Sequence, residues 1–77
     1  LVTHGPPAGI LDQTPHGEHV GCADLREAVE RVQPKLHVFG HIHHGHGIEK
    51  SGATTFVNAS VWDESFEPNN PPLVIDL

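Results

Sequence analysis

The apolar stretch Leu36-His37-Val38-Phe39 runs straight into Gly40-His41-Ile42-His43, and this junction constrains the chain more than any other. It reads as a strand that ends in a turn carrying two imidazoles separated by one residue. In an extended or turning backbone, His-x-His sets two ring nitrogens close together while Ile42 points elsewhere. Gly40 lets the main chain approach a ligand where a side chain would obstruct it. Val2-Thr3-His4-Gly5-Pro6-Pro7 has the same design: a short β-type run, a histidine, then Gly and Pro to turn the chain. Two histidine stations at strand ends point to one metal site.

The rest of the sequence divides around these stations. Leu1 to Thr3 reads as a buried strand, and Gly5 to Val20, rich in Gly, Pro, Asp and His, as a loop at the rim of a site. From Gly21 to Gln33 the apolar spacing is helical, with Leu25, Ala28, Val29 and Val32 on one face and a Glu27–Arg31 pair on the other. Pro34 disfavours helix at Gln33 and ends the segment. Leu36 to Phe39 follows as a strand, then Gly47 to Lys50 and Ala53 to Asn58, joined by a hairpin turn at Ser51-Gly52. Glu67 to Pro72 reads as a loop and Leu73 to Leu77 as a final apolar strand. Strand, loop, helix, strand and then a β-meander make the class α/β.

Composition narrows the function. Seventy-seven residues allow one small domain, and a chain of that size usually needs a metal, a disulfide or a partner for stability. Cys22 stands alone, so an internal disulfide is impossible and a reducing, cytoplasmic setting is expected. No apolar run approaches a membrane span, and no membrane partner is expected. The net charge of −6, with only Arg26, Arg31, Lys35 and Lys50 basic, argues against binding a nucleic-acid backbone. An anionic phosphoester would have to be held by metal ions and imidazoles, and the eight histidines are well above ordinary usage.

Leu1-Val2-Thr3-His4-Gly5-Pro6-Pro7 resembles the fourth metal-ligand segment of the calcineurin-like metallophosphoesterases. Val38-Phe39-Gly40-His41-Ile42-His43 resembles their fifth. Pro34 to His43, Asn58-Ala59-Ser60 and Pro71-Pro72-Leu73-Val74-Ile75-Asp76-Leu77 are closest to the branch that includes the MPPED-type phosphodiesterases. The resemblance covers residues 1–77 as the carboxyl-terminal half of that family's domain. The family's Asp-x-His, Gly-Asp-x-x-Asp and Gly-Asn-His-Asp/Glu segments do not occur. The expectation is therefore a fragment, in line with a chain that opens on Leu1 and has no methionine. The fold implied is half of a β-sandwich flanked by helices.

The implied activity is metal-dependent hydrolysis of a phosphoester, a phosphodiester in this branch, at a binuclear centre of two divalent transition metals (Mn, Fe or Zn). Carried over by residue, His4 and His41 would ligate one metal and His43 the other, while the catalytic residues fall in the missing amino-terminal half. The chain alone is then expected to be inactive and to pair with that half or with itself. His37, His44, His46 and Asn58 are candidates for touching substrate or bracing the ligands, Asn58 through hydrogen bonds to the site turns. His16 and His19 read as ordinary surface residues and Cys22 as structural. Trp62 and Phe66 read as core packing or a substrate edge. The alternative is a histidine-rich module that captures metal, or a non-catalytic interaction fragment; His44 and His46 joining the other three in a tetrahedral cage would favour metal capture.

Overall fold

The computed structural model describes residues 1–60 together with Asn70 and Leu73. Helix α1 spans Ala23–Val32, strand β1 Leu36–Phe39, β2 Gly47–Ser51 and β3 Thr54–Asn58, with one 3₁₀ turn at His43–Gly45. The expected loop over Glu67–Pro72 and strand over Leu73–Leu77 lie outside the described residues except for Asn70 and Leu73, as do Trp62 and Phe66. The described part is a small α/β unit: a three-stranded mixed sheet and one helix.

Cys22 opens α1, its Sγ accepting the Leu25 N–H at 3.4 Å, and Asp24 sits in the first turn where the helix dipole favours a negative charge. At the other end Gln33 takes the left-handed conformation, φ 53°, and donates its N–H to the Val29 carbonyl. Such a cap is usually glycine, and Pro34 leaves no helical alternative. Val29 is the residue α1 buries; with Ile10, Phe39 and Phe56 it forms the core, and Leu25 packs beside it. Val32, expected on that face, is 68% exposed. The ion pair on the outer face is Arg26–Glu30 at 2.7 Å rather than Glu27–Arg31. Arg26 also donates to the Ala8 carbonyl, which ties the helix to the long loop.

The sheet is not the expected meander. β3 lies in the centre, antiparallel to β2 and parallel to β1, in the order β1-β3-β2. Burial explains the order. β3 hides Thr54, Phe56, Val57 and Asn58, whereas Ile48 through Ser51 of β2 are exposed, so the apolar strand takes the position flanked on both sides. The hairpin closes one residue later than expected, at Gly52-Ala53, with Gly52 at φ 60°. Leu1 to Thr3 runs parallel to β1 on its other side, bonded through Val38–Leu1 and Thr3–Val38 at 2.9 and 3.0 Å. Among the described residues it is not covered: Val2 is 79% exposed, with no described strand on its far side.

The loop between Gly5 and Val20 is organised by one carboxylate. Asp12, fully buried, accepts the N–H groups of Gly9 and Gly21 at 2.8 Å each and the Nδ1 of His19 at 2.6 Å. His19 is exposed, as expected, yet its ring is tied to this buried carboxylate. Short bridges pair Pro7 with Cys22 and Gln13 with His19. Burial raises the Asp12 pKa, but hydrogen bonds from His19, Gly9 and Gly21 and the charge on His19 outweigh it and hold the carboxyl below its ordinary value. The loop also meets the 3₁₀ turn: a Cβ on Gly45 would lie 2.1 Å from the Leu11 carbonyl oxygen.

Two outcomes follow. Gly45→Ala must push Leu11 aside and should cost about 1–3 kcal/mol, as overpacking does; Gly5→Ala, with nothing within 4 Å of the added carbon, should be near neutral. Denaturant midpoints of the two variants test the contrast. Because the Asp12 pKa is lowered by folding, its contribution is present above the unfolded pKa and lost as pH falls through the folded value. The thermal midpoint should therefore drop from about pH 5 downward, and Asp12→Asn should lower it at neutral pH and flatten that acid limb.

Candidate metal-binding turns

The two histidine stations meet in space. His4 and His41 stand with ring centroids 4.6 Å apart, tilted by 39°, and both side chains are exposed. They meet because Leu1 to Thr3 and β1 are neighbouring parallel strands that end level with each other, the Gly40 N–H donating to the His4 carbonyl at 3.1 Å.

The His41 turn is strained. The Ile42 N–H bonds back to the Gly40 carbonyl at 2.8 Å, closing a three-residue turn with His41 at its centre and φ 68°. A γ-turn with positive φ at its centre is rare, and in a residue with a Cβ it costs of order 1–3 kcal/mol. Such strain persists where surrounding contacts fix it, and it clusters at functional sites. A Cβ on Gly40 would stand in ordinary contact with Ser60 Oγ at 3.4 Å, so packing among the described residues does not itself demand a glycine there.

Asn58 and His37 hold these turns from beneath. Asn58 is fully buried; its Nδ2 donates to the Ile42 carbonyl at 2.8 Å and the Leu11 carbonyl at 3.0 Å, and its Oδ1 accepts from the Ser60 N–H and Oγ–H. The amide thus fixes the peptide between His41 and His43. His37, also fully buried, contacts Thr3 Oγ1 through Nε2 at 2.8 Å, and Thr3 donates its hydroxyl proton to the Gly5 carbonyl at 2.9 Å. With that proton used, Nε2 must be the donor and Nδ1 the bare nitrogen. Nδ1 has no partner, less costly than an orphaned N–H. The rings of Phe39 and Phe56 stand edge-on at 5.0 and 5.7 Å, and burial lowers the His37 pKa, keeping the ring neutral. His37 and Asn58 therefore brace the backbone on either side of His4 and of Ile42.

His43 and His44 lie in the 3₁₀ turn and His46 caps it. His44 and His46 line a separate cavity of about 300 Å³ with Asp12, His19 and Glu49. Among the described residues no three His, Cys, Asp or Glu side chains group tightly enough to hold a metal, so neither the trio His4, His41 and His43 nor the tetrahedral cage of the alternative, metal-capture reading is assembled there. His16 takes no part in these contacts, and Cys22 is exposed as the helix cap. Sequence reading missed Asp12 and His19; the available signal was Asp12 three residues after Gly9 in a Gly- and Pro-rich stretch, where an aspartate side chain often closes a turn.

No family model matches the chain. It is 57% identical over 79 residues to the human Metallophosphoesterase domain-containing protein 1, an alignment covering all of this chain and 24% of that protein. The UPF0046 protein T07D4.2 of Caenorhabditis elegans is 44% identical over 78 residues, again across the whole chain and 20% of the relative. A second protein of that organism, K07C11.7, is 46% identical over 74 residues, 96% of the chain and 25% of the relative. The chain spans about a quarter of the length of these curated relatives. Identity at this level across the whole sequence places the chain in the family of metallophosphoesterase domain-containing proteins, matching their carboxyl-terminal part.

Proposed function

We propose that this chain supplies the imidazole ligands of a metal-dependent phosphoester hydrolase acting on phosphodiesters. The observation that carries this reading is the exposed His4–His41 pair, 4.6 Å between ring centroids, with His41 kept in a left-handed turn. A backbone strained at an exposed histidine serves no packing purpose, since that side chain buries nothing; it aims the ring.

Two exposed imidazoles at neighbouring strand ends suit a borderline transition metal such as Mn, Fe or Zn, not Ca. In this reading His4 and His41 hold one cation and His43 a second. Divalent cations bound there would lower the pKa of a shared water and neutralise charge on the phosphoryl oxygens. The chain's own part is positional. Asn58 fixes the Ile42 peptide between two ligands, and His37 fixes Thr3 immediately before the third. Asp12 is committed to its own loop and is not the bridging carboxylate; in this reading that group and the remaining ligands belong to the rest of the family domain.

In a protein carrying the whole family domain, Mn-stimulated hydrolysis of bis(p-nitrophenyl) phosphate should fall about 100-fold or more on changing His41 or His43 to Ala, with a parallel loss of bound metal. Undiminished turnover in either variant would count against the assignment. His41→Gly should abolish activity equally yet leave the protein about 1 kcal/mol more stable than His41→Ala, since glycine alone takes φ 68° without strain. The 77-residue chain by itself, offering two paired imidazoles where tight sites use three or four protein ligands, should bind Mn weakly and turn over the diester at background rate.

A further inference from the structure

We propose that Thr3 is a positioning residue for His4, its hydroxyl closed over that histidine and held in one direction by the Nε2–H of His37. The inference rests on the metal-ligand reading above and adds the group that fixes the first of its imidazoles.

Strand pairing secures the backbone only as far as His4. The Thr3 N–H donates to the Val38 carbonyl at 3.0 Å, and the His4 carbonyl accepts from the Gly40 N–H at 3.1 Å. The chain then enters Gly5, the residue type with the widest backbone freedom. Nothing lies within 4 Å of the place a Cβ on Gly5 would take, so packing does not fix the chain on that side. The Thr3 hydroxyl supplies the missing restraint. It donates to the Gly5 carbonyl at 2.9 Å, a local side-chain to main-chain bond that spans His4.

A hydroxyl has one proton and rotates to suit its neighbours, so Thr3 could give that proton to His37 instead. The surroundings of His37 oppose this. Burial lowers its pKa, and the neutral ring holds a single proton. Were that proton on Nδ1, a fully buried N–H would stand beside Phe39 and Phe56 with no acceptor. With the proton on Nε2 it is donated to Thr3 Oγ1 at 2.8 Å, and the hydroxyl proton is left for Gly5. The relay runs from His37 through Thr3 to Gly5, and His4 sits inside it. A buried histidine that binds no metal thereby sets the backbone on both sides of one that does.

In a protein carrying the whole family domain, freed of metal and titrated calorimetrically with Mn, Thr3→Val should bind about 10-fold more weakly, as happens when a group behind a metal ligand is removed. Valine keeps the shape of the side chain and deletes the hydroxyl. Thr3→Ser restores the hydroxyl and should bind as tightly as the unaltered protein. Val29→Ala, which opens the core beneath the helix, should lower the thermal midpoint at least as far as Thr3→Val yet leave Mn affinity unchanged. Nitrogen NMR shifts of the metal-free protein should place the His37 proton on Nε2. Full affinity in Thr3→Val, an equal loss in Thr3→Ser or in Val29→Ala, or a proton on Nδ1 each overturns the assignment. His41→Ala separates it from the reading beneath: if that variant loses Mn and Thr3→Val does not, the metal site stands without Thr3. If His41→Ala binds Mn as the unaltered protein does, both fall.

Discussion

The carboxamide of Asn58 is the contact on which the rest of this structure depends. It is fully buried at the end of the central strand and uses both of its faces: Nδ2 on the Leu11 and Ile42 carbonyls, Oδ1 on the backbone and hydroxyl of Ser60. Three segments remote in sequence are therefore set relative to one another by a single rigid planar group. An aliphatic residue of the same volume would fill the space but leave the Leu11 carbonyl without its Asn58 donor and the Ile42 carbonyl with the Gly45 N–H alone, and an unsatisfied buried acceptor costs about 1–3 kcal/mol. The same geometry connects the long loop to the histidine turn, so the cavity and the ligand pair share one mechanical support.

Polar groups matter this much because the apolar core is small. Among the described residues the buried hydrophobics are Ile10, Val29, Phe39, Phe56 and Val57, and the buried polar residues Asp12, His37, Thr54, Asn58 and Ser60 are as numerous. A chain of 77 residues buries too little apolar surface to fix its loops by packing alone. Satisfied buried networks take over that role, since each bond is directional and each lost partner is costly. Asp12 fixes the loop, His37 the turn after the first strand, and Asn58 the turn after β1. Asp12 and Asn58 act on backbone directly, and His37 through the Thr3 hydroxyl.

That investment in backbone geometry is concentrated near His4 and His41. Of the three non-glycine residues with positive φ among the described residues, Gln33 caps the helix, while Asn58 takes hold of the Leu11 carbonyl and of the Ile42 carbonyl next to His41. Strain and the bonds that sustain it thus coincide, and the exposed imidazoles they aim contribute nothing to the core. Around them, His37 bonds the Thr3 hydroxyl and Asn58 the Ile42 carbonyl. His19 and Asp12 form a support of their own on the cavity side.

The sequence alone determined the elements and the histidine stations, because both are written in local chemistry. Apolar spacing and Pro34 delimit a helix within two residues at its start and one at its end; Leu36 to Phe39 forms the strand its composition predicts; His4 and His41 follow strands that glycine terminates. Which strand sits in the middle was not legible, since a hairpin signal fixes a neighbour but not the crossover that puts β3 beside β1. Nor was the exposure of Val2, which depends on what lies at the sheet edge and not on the residue itself. The Asp12–His19 pairing and the left-handed turn at His41 were decided by tertiary structure alone. A carboxylate in a Gly-rich loop has many possible donors, and a non-glycine φ of 68° is paid for by contacts from Asn58, seventeen residues downstream of the histidine it constrains.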